Sequence, residues 1–106
     1  VKQPTLFDAQ AEREATLQAR FEEFHAANPW VFREIVKLAL DLSQRGRTKF
    51  GIGMVFEVLR WQHLMSTEDA HSDFKLNNNY RSRYARMLVA SHPELSKCIE
   101  LRELKA

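Results

Sequence analysis

The residues best suited to chemistry cluster between Phe74 and Arg86. Lys75 precedes Asn77, Asn78 and Asn79, and Arg81, Arg83 and Arg86 follow within one helix length. Arginine forks onto phosphate oxygens or guanine edges, asparagine pairs with adenine or phosphate, and a helix N-terminus attracts phosphate. At 100° per residue, Tyr80, Tyr84, Met87 and Leu88 share the inner face of a helix over 78–92. Ser82, Arg83, Arg86 and Ala90 form a second face, with Arg81 on its flank. This division predicts a DNA-contacting helix, capped by Asn77 or Asn78, whose footprint Arg47 and Lys49 extend. A solvated helix whose arginines pair with acidic residues elsewhere is the competing reading of the same residues.

Charge is distributed in a way that agrees with the DNA reading. The chain carries a net charge of +2, yet residues 1–44 hold five Lys/Arg against seven Asp/Glu, while residues 45–92 hold eight against four. The basic part is therefore the middle.

A second pattern lies at the N-terminus. Gln3-Pro4-Thr5-Leu6-Phe7 resembles the Gln-x-x-Leu-Phe motif by which bacterial replication and repair proteins dock on the sliding clamp. The resemblance implies that Leu6 and Phe7 fill an apolar pocket while Gln3 hydrogen-bonds at its rim. Stapling of Leu6 and Phe7 against the first helix is the alternative.

Catalytic chemistry has little support. Cys98 is the single cysteine, which excludes an internal disulfide and a Cys-rich zinc module. His63, His71 and His92 lack zinc-ligand spacing, and three glycines supply no nucleotide-binding fingerprint. Glu57, Arg60 and His63 share neighbouring helical turns and predict a local polar network. No enzyme activity, metal or cofactor is expected, and the partners expected are DNA or a host protein.

These side chains need a scaffold. With 106 residues and 44% hydrophobic content the chain fits one domain, and no apolar run is long enough to span a membrane. A cytoplasmic protein is expected. Residues 1–7, with Pro4, read as a flexible arm, and residues 8–106 as a mainly α, compact domain of four to five helices. Asp8 caps a first helix to Ala27, with Leu17, Phe21 and Phe24 facing inward. Asn28-Pro29 then opens a second over 29–44, with Val31, Ile35, Leu38, Ala39 and Leu42 inward, and Arg45-Gly46 stops it. A third spans 52–65, with Ile52, Val55, Phe56 and Leu59 inward. Met54, Val58, Trp61 and Met65 broaden its apolar surface, as core-edge groups or a dimer seam. Trp30 and Trp61 are expected in or beside the core.

Residues 66–77 read as a loop pinned by Phe74 or Leu76. Residues 47–50 and 98–104 suit two short strands, and with them the element order is that of a winged helix-turn-helix, although 66–77 is longer than the usual turn.

Three strings carry a wider likeness: Phe24-His25-Ala26-Ala27-Asn28-Pro29, Glu57-Val58-Leu59-Arg60-Trp61, and the run from Phe74 to Arg86. Over about residues 21–104 the chain resembles a group of small uncharacterised proteins of bacteriophages, prophages and bacteria. The resemblance implies a phage or bacterial setting and carries no activity.

Overall fold

The computed structural model describes residues 5–67 and 74–99. Four α-helices make up most of them: α1 (Leu6–Ala27), α2 (Pro29–Gln44), α3 (Ile52–Ser66) and α4 (Arg81–Ser91). Two 3₁₀ turns, Asn78–Tyr80 and Pro93–Lys97, flank α4. The protein is mainly helical, as its apolar periods predict.

α1 begins earlier than Asp8. Thr5 is its N-cap: the Thr5 Oγ1 accepts from the Asp8 amide at 3.1 Å, and the Asp8 carboxylate accepts from the Thr5 amide at 3.2 Å. Asp8 thus closes a capping box as its third helical residue. Leu6 and Phe7 consequently belong to the first helical turn and not to an arm, while Gln3 lies outside the described residues. Neither staples the helix to the core, since they are 86% and 69% exposed.

Asn28 joins α1 to α2 by an unexpected route. Its side chain makes no capping bond to α2; its Nδ2 donates back to the Phe24 carbonyl at 3.1 Å. One residue therefore finishes the first helix, while Pro29 starts the second with its ring already set for a helical φ. Gly46, at φ 85°, lets the chain leave α2 through a left-handed conformation that a side chain would disfavour.

The core forms where α2, α3 and α4 meet. Val31, Ile35 and Ala39 pack against Val55, Phe56 and Leu59, and Tyr84, Leu88 and Leu95 complete the contact. Complete burial of each larger aliphatic or aromatic side chain contributes about 1.5–3 kcal/mol, enough for this face-to-face packing to outweigh weak local propensity. α1 covers one side through Phe21, whose ring meets Tyr84 edge-on at 4.9 Å.

Two expectations need correction here. Trp30 does pack beside the core, 5.0 Å from Phe74, but Trp61 is 64% exposed on the outer face of α3. In place of two strands, the described residues hold one isolated parallel bridge, Phe50 to Ile99, and residues 100–104 lie outside them. A bridge of one pair suffices to hold the two segments side by side, with the Phe50 amide donating to the Cys98 carbonyl at 2.9 Å.

Candidate nucleic-acid interface

The segment leading into α4 is held by Arg60. Its guanidinium donates to the Leu76 carbonyl at 2.7 Å and to the Asn78 side-chain oxygen, and it pairs with Glu57 one turn away. The expected Glu57–Arg60 network therefore exists, but His63 is not its third member. His63 joins Trp30 and Phe74 in a cluster of three rings instead, its centroid 6.0 Å from Trp30 and 4.5 Å from Phe74. Leu76 is buried just beyond, which fixes where the asparagines emerge.

Asn77 caps the 3₁₀ turn, its Oδ1 accepting from the Asn79 amide at 2.9 Å. The turn occupies Asn78–Tyr80, so the α-helix itself starts at Arg81 and not at 78. Arg81 Nε donates to the Asn78 carbonyl at 3.2 Å, which holds the side chain along the start of its own helix. Its guanidinium end would lie 3.2 Å from a Cβ placed on Gly53, so the absence of a side chain there lets Arg81 lie against α3.

The arginines of α4 do not form one exposed face. Arg81 and Arg86 are exposed, as are Lys75, Asn77, Asn78 and Asn79, but Arg83 is 8% exposed. Its guanidinium donates to the Glu14 carboxylate at 2.9 Å and to the Gln18 side chain at 2.8 Å. A buried cation with both an ion pair and an amide partner is satisfied structurally and cannot lead a DNA contact. On the helical wheel Arg83 lies about 60° from Tyr80, an edge position, and α1 covers that edge. The sequence of α4 alone holds no signal that Glu14 and Gln18 would arrive there.

Arg81, Lys49 and Lys75 line three different concave surfaces. Asn78, Asn79, Arg81 and Ser82 line a cleft with Gly51 and Gly53, its far wall made by the Glu14–Arg83 pair. Lys49 lines a second with Gly51, Ser96 and Lys97. Lys75 lies apart from both, beside Arg60, His63, Leu64 and Phe74. Arg47 and Arg86 are exposed outside the linings of all three.

Gly51 is common to the first two clefts and is the N-cap of α3, where no side chain supplies a cap and the first turn carries no acidic residue. Lys97 was not among the residues singled out from sequence. It reaches Lys49 through the Phe50–Ile99 bridge, a pairing between segments far apart in the chain.

Tyr84 is wholly buried, and burial, with a smaller contribution from Tyr80, pushes its phenol up to about 12. Its hydroxyl has no hydrogen-bond partner among the described residues, and its ring packs in the core. Among the described residues no group of three or more His, Cys, Asp or Glu could hold a metal ion, and no helix is long and apolar enough to cross a membrane. No protein-family model, curated protein or solved structure matches the chain.

Proposed function

We propose that the protein is a small DNA-binding accessory or regulatory factor that grips the phosphate backbone across the two clefts meeting at Gly51. One observation supports this reading above others: Gly51 is shared, so Lys49 and Lys97 flank the start of α3 on one side and Arg81, with Asn78 and Asn79, flanks it on the other. Phosphates attract cations and amide donors without regard to base sequence, and this set supplies both. The reading involves binding without catalysis, and it differs from a winged helix-turn-helix docking. Withdrawal of Arg83 beneath α1 leaves α4 with no continuous arginine face for the major groove.

The test is binding of a labelled duplex and a labelled single strand across a salt series. The wild-type chain binds at low salt and weakens as salt rises. A Lys49→Ala/Lys97→Ala/Arg81→Ala variant loses most of that binding, whereas equal affinity for wild type and variant eliminates the reading.

The exposure of Leu6 and Phe7 favours a second reading, in which these residues dock on a host protein such as the sliding clamp. A Leu6→Ala/Phe7→Ala variant keeps the Thr5–Asp8 capping box and separates docking from helix stability. Clamp affinity unchanged by the two substitutions removes this reading.

A further inference from the structure

The outer face of α3 is apolar where a solvated helix would be charged. Met54, Val58, Trp61 and Met65 are 47%, 39%, 64% and 70% exposed, and Leu64 beside them is 70% exposed. The inner face of the same helix, Val55, Phe56 and Leu59, is already spent in the core. α3 is therefore apolar on two sides, and the second side is unpartnered among the described residues.

We propose that this face binds a second copy of the chain, the two α3 helices packing antiparallel about a two-fold axis. Met54, Val58, Trp61 and Met65 are separated by four, three and four residues, a series that reads the same from either end. An antiparallel pair centred between Leu59 and Arg60 sets Met54 of each copy against Met65 of the other, and Val58 against Trp61. The stripe itself carries no charged side chain, because Glu57 and Gln62 lie on its two edges, each about 70° from its centre. Self-complementarity of this kind is what a two-fold interface requires.

Area agrees with that occupant. The five side chains expose on the order of 600 Å², at the upper end for a monomer's largest apolar patch. Pairing two such faces buries at most roughly 1,200 Å², which reaches the lower end of the range for specific, stable interfaces. Met54 lies on this face and also lines the Arg81 cleft, so the two surfaces adjoin at the start of α3 and self-association is read without DNA present.

Two measurements on the full chain test this. Sedimentation velocity over a concentration series shows a mass rising from 12.4 kDa towards twice that value. Trp61→Lys, at an exposed position, keeps the helical circular dichroism and returns the mass to the monomer. A chain that stays monomeric at all concentrations overturns the proposal, as does a Trp61→Lys variant that still dimerises. The second measurement reads the register. In a Cys98→Ser background, Val58→Cys and Trp61→Cys chains are mixed and oxidised. Disulfides form between unlike chains at least several-fold faster than between like chains. Faster joining of like chains, or equal rates, overturns the antiparallel pairing.

Discussion

The Arg83 guanidinium lies 2.9 Å from the Glu14 carboxylate, tying α4 to a helix 69 positions earlier in the chain. Arg83 is almost fully enclosed while Glu14 is partly open to water, so the two partners are not equivalent. Glu14→Ala leaves an enclosed cation with Gln18 alone and destabilises the fold by about 1–3 kcal/mol. Arg83→Met, which fills the same space without charge, costs less than Glu14→Ala. Urea midpoints at fixed protein concentration check the order, and Arg83→Met leaves the salt slope of DNA binding unchanged.

Salt dependence distinguishes the cations that touch phosphate from those that do not. Lys49→Ala, Lys97→Ala and Arg81→Ala each lower the steepness of log K against log salt by about 0.9 for a duplex. Lys75→Ala, on a different surface, leaves the slope unchanged. Fluorescence anisotropy at four or more salt concentrations reads both results.

Tyr84 couples stability to alkaline pH. Its phenol is raised in the folded chain to about 12 from an ordinary value of 10, chiefly by burial. The stability that the neutral phenol contributes is complete below pH 10 and is lost as pH rises from 10 to about 12, by on the order of 2 kcal/mol. Tyr84→Phe removes a hydroxyl that has no partner among the described residues, so it is neutral or stabilising at pH 7. Denaturant midpoints at pH 7, 10 and 11.5 show the variant gaining on wild type at the higher values.

Gly53 trades helix stability against the position of Arg81. Alanine in the first turn of α3 lowers backbone entropy in the unfolded chain and raises stability by about 0.4–1 kcal/mol. Its Cβ meets the mobile end of Arg81 at 3.2 Å, so the guanidinium shifts and the backbone stays. Gly53→Ala therefore melts at a higher temperature and binds DNA more weakly, a pair of opposite changes visible by calorimetry and anisotropy.

The helices were legible because each carries its own evidence. The five apolar positions from Val31 to Leu42 recur at the helical period, and α2 spans Pro29–Gln44 as that period predicts. Asparagine before proline likewise marked the boundary at Asn28. Positions that depend on a second segment were not legible in this way. Arg83 resembles Arg81 and Arg86 until α1 lies over it, and Lys97 resembles any surface lysine until Phe50 pairs with Ile99. Trp61 was misplaced for the converse reason: an apolar residue in an amphipathic helix implies burial, and α3 has more apolar surface than one core can take up.

The bridge from Phe50 to Ile99 also bears on how the fold is completed. It joins segments on either side of α3 and α4, so loop closure is unfavourable until both helices have formed and docked. Among the described residues it is one isolated pair with no neighbouring ladder to reinforce it, which places it among the last contacts to close and the first to open. Lys49 and Lys97 are carried beside that pair, and they meet when it closes. A partly folded chain thus keeps its two lysines dispersed, and affinity for a polyanion becomes a readout of whether the fold has finished.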